Sequence, residues 1–345
     1  MEDSMRRHFF HHGGQDPAVT DGAKEVRECH WCQLRSFDKH AVFPISVVND
    51  TKDRQTLPQD FRFISENHLG PGVSRAEASF RSGCECADPG DCMRAGCQCL
   101  EEIDDEPSDP EEPSDLDADE QGNRPSKPEK TLFSYYSSGP KAGLLKKSRL
   151  QSRQPIYECH EGCGCGPDCP NRVVERGRTV PLQIFRTDDG RGWGVRSIID
   201  IKCGQFVDTY VGEVITSKEA DRRRNKSTNA RKKDIYLFAL DKFIDENSPD
   251  PRLVGPPLEV DGQYMSGPSR FINHSCNPSM RIFARVGDHA DKHVHDLALF
   301  ATRDIPKGEE LTFDYVDGID MRDASKTEGH TKCLCGSANC RGWLW

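Results

Sequence analysis

The sequence predicts a mainly β protein with few short helices, flanked by zinc-binding regions. From Thr179 onward, short β-type runs alternate with turns, without the repeated strand–helix–strand order of a doubly wound parallel sheet. On either side of these runs, most of the 16 cysteines fall in compact blocks. No G-x-G-x-x-G or Walker loop precedes a helix, which argues against a dinucleotide or nucleotide-triphosphate enzyme.

Nine cysteines form two blocks whose number fits a three-zinc cluster. The blocks read Cys84-x-Cys86-x5-Cys92-x4-Cys97-x-Cys99 and Cys159-x3-Cys163-x-Cys165-x3-Cys169. Tetrahedral zinc takes four ligands, so three zinc ions have about twelve ligand places, which nine thiolates fill if three of them bridge. Disulfides fit poorly because nine is odd and a Cys-x-Cys pair is awkward for S–S geometry. We expect a cluster of three zinc ions.

A third block, Cys333-x-Cys335-x4-Cys340, offers three thiolates to a metal that needs four. Cys276, in the run RFINHSCNP, is the candidate fourth ligand. A fourth zinc ion would then tie the C-terminal tail to that run.

The remaining cysteines and the ends of the chain favour a reducing compartment. Cys29 and Cys32 have metal-like spacing, but no second pair lies near them in sequence, so a reduced structural pair is the preferred interpretation. Cys203 is expected to be an ordinary thiol. The N-terminus lacks the apolar run of a signal peptide, and no stretch approaches the length of a transmembrane helix. We therefore expect no membrane association.

The net charge of −10 is concentrated in one segment. Residues 101–120 contain twelve acidic residues and no basic one, and removing those charges leaves a remainder of +2. So highly charged and Pro-rich a stretch does not fold alone. We interpret 101–130 as a solvated loop joining the halves of the zinc cluster, in preference to a dedicated interaction tail. Residues 1–28 are expected to be disordered.

Candidate strands follow one another through the central region. They are VPLQIFRT, GWGVRSI, FVDTYVGEVI, DIYLFALDKF, LEVDG, SMRIFARV, DLALFA and ELTFDY. SKEADRRRNKST is the clearest helical segment. Residues 29–83 contain shorter apolar runs such as HAVFPISVVND, which favours strands that wrap around another part of the protein.

Several motifs together resemble one family. The runs RFINHSC (270–276) and ELTFDY (310–315), with the turn Gly192-Trp193-Gly194 upstream, are similar to those of SET-domain protein lysine methyltransferases. The cysteine blocks resemble the pre-SET and post-SET regions of the Su(var) branch. CHWC, YECH, CPNRVVERGRTVPLQIFRT and KCLCG extend the resemblance over nearly the whole chain, which is most similar to the short fungal (Neurospora-type) members that trimethylate lysine nine of histone H3.

This resemblance implies a fold and a domain order. The fold is the SET domain, made of small β-sheets, with a pseudoknot between the RFINHSC run and the last strand. The regions implied are a disordered N-terminus (1–28), a segment wrapping the SET core (29–83), the pre-SET triangular zinc cluster with its acidic loop (84–172), the SET domain (173–316) and a post-SET zinc-binding tail (317–345).

The implied activity is methyl transfer from S-adenosyl-L-methionine to lysine nine of histone H3, in heterochromatin formation and gene silencing linked to DNA methylation in fungi. The amine must be neutral to react, and burial among aromatic rings disfavours its ammonium form. The implied channel residues are Tyr210, Phe238, Phe313 and Tyr315. Tyr315 would place its hydroxyl nearest the amine, and Tyr210 would orient it. Phe313, where a Tyr would hold the amine or a water, leaves space for trimethylation.

The resemblance also implies a cofactor site. Its residues are Gly192, Trp193, Gly194, Tyr236, Arg270, Phe271, Asn273, His274 and Trp345. Glycines let the backbone approach the amino-acid end of the cofactor, and Arg270 is expected to meet its carboxylate. Trp345 would close over the cofactor once the post-SET zinc is bound. His274 is expected to be structural rather than an acid or base.

A basic histone tail is expected to bind as an added strand along an open sheet edge. Asp234, Asp241 and Phe238 are the candidate groove residues, with Glu259 as a further acid, although each acid alone is more often a solvated charge. The basic runs 222–224 and 231–233 are candidates for contact with nucleosomal DNA, but an exposed helical face is the preferred interpretation.

Further expectations concern partners and location. They are heterochromatin proteins as additional partners, a monomeric state, and a place in the nucleus on heterochromatic chromosomes. Two alternatives stay open: a catalytically silent zinc-dependent chromatin scaffold, and a methyltransferase for another histone or non-histone lysine.

Overall fold

The computed structural model describes residues 29–53, 55–94, 96–100, 133–226, 236–317 and 331–344. Within these ranges three α-helices are present: α1 (His30–Arg35), α2 (Lys147–Gln151) and α3 (Ser217–Lys226). The expected disordered N-terminus, the acidic loop 101–130, Asp234, the run 231–233 and Trp345 lie outside the described residues. No described helix is both long enough and apolar enough to cross a membrane.

Short strands dominate the described residues, as the sequence predicts. They are β1 (Ile45–Val48), β2 (Arg62–Phe63), β3 (His68–Leu69), β4 (Ile156–Tyr157), β5 (Leu182–Arg186), β6 (Trp193–Ser197), β7 (Phe206–Tyr210), β8 (Glu213–Ile215), β9 (Leu237–Ala239), β10 (Glu259–Asp261), β11 (Met265–Ser266), β12 (Asn273–His274), β13 (Met280–Val286), β14 (Asp296–Ala301) and β15 (Glu310–Phe313). Each of the eight candidate runs contains at least one strand, and α3 occupies the expected helical segment.

The strands form four small sheets rather than one large one. Their orders are β1-β5-β6-β15-β12, β3-β8-β10-β9, β11-β2 and β4-β13-β14-β7. The three strands of the N-terminal segment join three different sheets, since β1 pairs with β5, β2 with β11 and β3 with β8. This segment therefore runs along the central region and contributes an edge to several of its sheets.

The run RFINHSC meets the end of the last strand directly. β12 pairs in parallel with β15, with Asn273 opposite Thr312 and His274 opposite Phe313. The backbone N–H of Ser275 donates to the carbonyl of Phe313. A parallel pair requires a long crossover, which β13 and β14 supply here. The pairing brings the two family motifs into one place.

Two large buried clusters hold these sheets together, beside a smaller one that contains Tyr210. One packs apolar side chains of β1, β5, β6 and β15 beneath the five-stranded sheet. The other contains the cysteines of the first two blocks, packed against Phe206, Phe283 and Phe300 of the β7, β13 and β14 strands. The cysteine region therefore lies against the back of the sheet that positions Tyr210.

Candidate active site and zinc sites

Four aromatic rings meet where three sheets converge. Tyr210 ends β7, Phe238 lies in β9, Phe313 ends β15, and Tyr315 follows two residues later. Ring centroids are 4.6 Å apart for Tyr210 and Phe238, 5.6 Å for Phe238 and Phe313, and 4.8 Å for Phe313 and Tyr315. The structure thus brings together all four residues that the resemblance assigns to the lysine channel.

Both phenol groups of this channel are held by backbone carbonyls. The Tyr315 hydroxyl donates to Ile272 O at 2.7 Å, and the Tyr210 hydroxyl donates to Tyr236 O at 3.0 Å. Burial raises the pKa of Tyr315 and of Tyr210 above the usual tyrosine value. Each hydroxyl therefore stays protonated at neutral pH, and a phenol oxygen can accept a hydrogen bond as well as donate one.

The Gly192-Trp193-Gly194 segment begins β6 beside the channel. Gly192 has φ of 97°, a left-handed conformation that other residues rarely adopt. The Arg186 guanidinium lies 5.8 Å from the Trp193 ring centroid, and Asp53 of the N-terminal segment accepts a hydrogen bond from Arg186 at 2.7 Å. The turn is thus supported from the segment that precedes the zinc region.

Arg270 has different partners from the one expected. Its guanidinium lies 4.2 Å from the centroid of the Tyr236 ring and 4.8 Å from that of Phe271, and it donates to the carbonyls of Gly262 and Gln263. Through these contacts, Arg270 packs against the Tyr236 ring and binds the backbone of Gly262 and Gln263. A contact with the cofactor carboxylate stays a prediction.

Asn273 and His274 connect the channel with its surroundings. The Asn273 amide donates to Trp193 O at 3.0 Å and to Glu310 Oε1 at 2.8 Å. His274 Nδ1 accepts from the backbone N–H of Tyr315, so the proton of the neutral ring is on Nε2, which lies 3.3 Å from Cys276 Sγ. Burial lowers the His274 pKa to about 4, in keeping with a structural role.

Arg191 and Glu310 belong to this region, although sequence reasoning missed both. Arg191 Nη2 donates to Glu310 Oε2 at 2.6 Å, immediately beside the Gly192 turn. Glu310 is the first residue of ELTFDY, and its alternation with the buried Leu311 and Phe313 could have placed it on the opposite face of β15 from those two residues. The motif drew attention to its aromatic residues instead.

The acids expected in the substrate groove differ in their surroundings. Asp241 is exposed just after β9, where a basic peptide could reach it. Glu259 is only 5% exposed and pairs with Arg224 of α3 through both carboxylate oxygens. The prediction that Glu259 faces a peptide is therefore wrong, because Arg224 already occupies its carboxylate.

The arginines of α3 also differ from the expected solvated or DNA-contacting face. Arg223 pairs with Glu213 of β8 at 2.8 Å and with the buried Asp261 of β10 at 2.7 Å. With Arg224 on Glu259, two of the three arginines turn towards the sheet and fasten the helix to it. Arg222 is the exposed one, paired only with Glu219 among the described residues.

The nine cysteines of the first two blocks converge on one buried site. Their sulfurs form four overlapping groups: Cys84, Cys86, Cys92 and Cys97; Cys84, Cys97, Cys99 and Cys159; Cys84, Cys159, Cys163 and Cys165; and Cys92, Cys159, Cys165 and Cys169. Cys84 and Cys159 each belong to three groups, as bridging thiolates would. Cys84 Sγ lies 3.8 Å from the sulfurs of both Cys92 and Cys159. Two thiolates on one tetrahedral zinc at about 2.3 Å lie about 3.8 Å apart, so this arrangement suits zinc.

Hydrogen-bond donors surround these sulfurs. The Asn171 amide donates to Cys159 Sγ, and Arg172 Nη2 lies 3.5 Å from Cys165 Sγ. Nine thiolates with three divalent ions leave a net charge of about −3, which a buried guanidinium offsets. Arg172 is 6% exposed, so its charge acts in a region of low dielectric constant.

The last cysteines form the expected second site with Cys276. The sulfurs of Cys276, Cys333, Cys335 and Cys340 lie within 4.8 Å of one another, and Cys276 and Cys333 are 3.9 Å apart. They can hold one zinc ion. Through Cys276 and His274, this site is two contacts away from the Tyr315 backbone.

The three cysteines outside these sites behave differently. Cys203 is half-buried and donates to the Thr302 carbonyl at 3.4 Å. Cys29 occupies the N-cap position of α1 and Cys32 lies within the helix; burial raises the Cys32 pKa to about 11. Among the described residues no third metal-ligating side chain joins this pair; a reduced structural pair stays a prediction.

Comparisons with known proteins agree with the fold, which is that of a SET-domain protein. The family model described as SET domain matches residues 192–316, and that described as Pre-SET motif matches 36–172. The H3 lysine-9-specific histone-lysine N-methyltransferase dim-5 of Neurospora crassa is 59% identical over 350 residues, covering 100% of both chains. The H3 lysine-9-specific enzyme KMT1 of Fusarium mangiferae is 56% identical, covering 100% of this chain and 99% of its own. The chain belongs to the SET-domain histone-lysine N-methyltransferases.

Solved structures agree with this assignment. The structure of the Neurospora SET domain protein DIM-5, a histone lysine methyltransferase, matches with a TM-score of 0.69 and 59% identity, over 85% of this chain and 100% of that chain. A complex of KRYPTONITE with mCHH DNA, an H3(1–15) peptide and SAH matches with a TM-score of 0.57 and 26% identity, over 88% of this chain and 52% of that chain.

Proposed function

We propose that the protein transfers methyl groups from S-adenosyl-L-methionine to lysine nine of histone H3 and continues to the trimethylated product. The observation that supports this most directly is the convergence of Tyr210, Phe238, Phe313 and Tyr315 beside the Gly192 turn. Similarity to H3 lysine-9-specific enzymes along the whole chain supports the choice of substrate.

The channel favours the reactive form of lysine. Aromatic walls of low polarity disfavour the ammonium form, so the proton leaves to solvent before transfer. S-adenosyl-L-methionine supplies a methyl group on a sulfonium, and the lysine nitrogen gains the N–C bond as the C–S bond breaks. The phenol groups of Tyr315 and Tyr210 orient the amine through their oxygen lone pairs, and neither serves as a base because burial raises the pKa of each.

Phe313 determines how many methyl groups are added. Its ring is 2% exposed and has no hydroxyl to hold the amine or a water molecule in place. The methylated amine can therefore turn its lone pair back towards the donor.

The proposed setting is chromatin in the nucleus, in heterochromatin. The histone tail lies along the open edge at β9, near the exposed Asp241, with Phe238 on the same strand. Nucleosomal DNA and heterochromatin proteins are proposed partners. The α3 arginines 223 and 224 are paired with buried acids, so DNA contact by these two is not part of the proposal.

Radiolabelled methyl transfer to H3 peptides with single lysine-to-arginine changes tests this function. We expect labelling of every peptide except the one in which lysine nine is replaced. Labelling that survives loss of lysine nine would place the activity on another lysine. No labelling of any peptide or of nucleosomes would indicate a catalytically silent chromatin scaffold.

A further inference from the structure

The Glu310 side chain contacts Arg191 and Asn273 at the proposed cofactor site. This side chain is 19% exposed and belongs to β15, which pairs with β6. Oε2 accepts from Arg191 Nη2 at 2.6 Å, and Oε1 accepts from Asn273 Nδ2 at 2.8 Å. One carboxylate therefore connects the turn before Gly192 with the RFINHSC run.

The same carboxylate decides which way the Asn273 amide faces. Both neighbours of that amide, Trp193 O and Glu310 Oε1, are 3.0 Å or less away and accept hydrogen bonds only. The NH₂ group of Asn273 must face them, and both of its N–H bonds are then used. The carbonyl oxygen Oδ1 is left as the one group that this side chain offers to a ligand.

Gly194 in the neighbouring strand β6 leaves room for the Glu310 carboxylate. A Cβ atom at Gly194 would lie 2.7 Å from Glu310 Oε1 and 3.1 Å from the Phe185 ring, so any larger residue would displace one of them. Gly194 thus serves the approach of Glu310 to β6, as well as the approach of backbone to ligand that the sequence suggested.

We propose that Glu310 is a positioning residue for the methyl donor. By holding the Asn273 amide in one orientation, it directs Oδ1 at the cationic amino group of the donor's amino-acid end. The inference rests on the proposed cofactor site around Gly192 and Asn273. An ammonium group fits this place, because the Asn273 carbonyl oxygen accepts a charge-assisted hydrogen bond while the Glu310 charge is already offset by Arg191.

The test compares two ligands on the zinc-loaded full chain by titration calorimetry. S-adenosylhomocysteine has the amino-acid end, and 5′-methylthioadenosine has only the nucleoside part. In Glu310→Gln, the amide oxygen can replace only one of the two carboxylate oxygens, and the NH₂ group that replaces the other cannot accept from Asn273 or Arg191. We expect affinity for S-adenosylhomocysteine to fall about tenfold and affinity for 5′-methylthioadenosine to change less than about twofold.

The matched control is Glu309→Gln, because Glu309 is adjacent in sequence but pairs with Arg303 at the surface. It should leave both affinities unchanged. In steady-state assays, Glu310→Gln should raise the KM for S-adenosyl-L-methionine and leave kcat within about twofold, since the peptide channel is untouched.

Three outcomes separate the possibilities. Unchanged binding of S-adenosylhomocysteine by Glu310→Gln, or equal weakening of both ligands, overturns the positioning role. Wild-type protein that binds neither ligand overturns the proposed cofactor site itself. Should Glu310→Gln fail to fold, Arg191→Met serves in its place: it frees one side of the carboxylate and should show the same ligand preference with a smaller loss, and a loss without that preference overturns the inference.

Discussion

Tyr315 combines a buried ring with a hydroxyl fixed on Ile272 O, and this combination predicts how the rate depends on pH. Its pKa lies above the ordinary value because of burial, as does that of Tyr210. Neither phenol ionises between pH 7 and 9, whereas the neutral fraction of lysine, with a pKa of about 10.4, rises about tenfold per pH unit.

We therefore expect kcat/KM for an H3 peptide to rise with pH across this range, in the wild type and, from a level about a hundredfold lower, in Tyr315→Phe. Initial rates at several pH values measure the slope. A Tyr315→Phe profile that loses its slope would identify Tyr315 as the titrating base, contrary to the mechanism proposed here.

Asp208, two residues before Tyr210 in β7, has a buried carboxylate whose ionisation should affect stability. Its Oδ2 is buried and has no hydrogen-bond partner among the described residues, and burial raises its pKa to about 6. The folded state binds this proton more tightly than the unfolded state, so the contribution to stability is greatest below the unfolded pKa of about 3.9 and declines as pH rises through about 6.

Asp208→Asn should therefore stabilise the protein at pH 7 to 8, by on the order of 2 kcal/mol, and change little near pH 4. Thermal or urea unfolding at both pH values measures the difference. Equal effects at the two pH values would show that the carboxylate charge is not the cause.

Helix α3 positions the active site although none of its residues touches the channel. Arg223 reaches Asp261 on β10, and β10 pairs with β9 so that Val260 lies opposite Phe238. Asp261 is 3% exposed, so removing Arg223 leaves a buried charge with only the backbone N–H of Gln263 to stabilise it.

Arg223→Met should lower the free energy of unfolding by roughly 2–4 kcal/mol and reduce methyl transfer, because β9 loses its support. Arg222→Met, which removes only an exposed pair with Glu219, is the control and should cost less than about 1 kcal/mol. Denaturant unfolding compares them. Similar losses in the two variants would argue against the buried pair as the anchor of β9.

Helix α3 shows which features local sequence patterns predict and which they do not. The strand runs and the helix itself follow from local alternation and charge, and the structure confirms them. The ion pairs of Arg223 and Arg224 do not follow from local pattern, because their partners Asp261 and Glu259 lie in a strand some 35 residues later. No local pattern reveals that these two acids are buried. The two-residue strands β11 and β12 are also missed, since their partners β2 and β15 are remote in sequence.

The two cysteine sites have different roles in the molecule as a whole. The first cluster packs against the β7–β14 sheet, and Glu158, next to Cys159, accepts from Arg285 of β13 at 2.9 Å. The second site contacts the channel through His274. Structural zinc contributes directly to folding free energy, so loss of zinc from the first cluster should destabilise the whole protein.

Cys159→Ser should therefore prevent stable folding, and Cys276→Ser should abolish most activity with a much smaller fall in Tm. Zinc content, Tm and methyl transfer measured on both variants give the comparison, and a strong chelator should reproduce the more severe effect in the wild type. Full activity after complete zinc removal would contradict this coupling of metal, fold and site.

The ligand count from nine cysteines and the channel residues from motif resemblance could both be read from the sequence. The geometry around them could not. Arg191 and Glu310 become part of the site only because β15 lies between β6 and β12. The contact between Arg270 and Tyr236 could not be read from the sequence either, because the two residues are more than 30 positions apart.

The central claim is that the channel ending at Phe313 trimethylates lysine nine of histone H3. Time-resolved mass spectrometry of an H3 peptide treated with wild-type protein or with Phe313→Tyr tests it most directly. We predict that the wild type proceeds to trimethyl-lysine and that Phe313→Tyr accumulates the monomethyl product, because the added hydroxyl holds the amine or a water molecule. The same product distribution from both proteins would contradict the account.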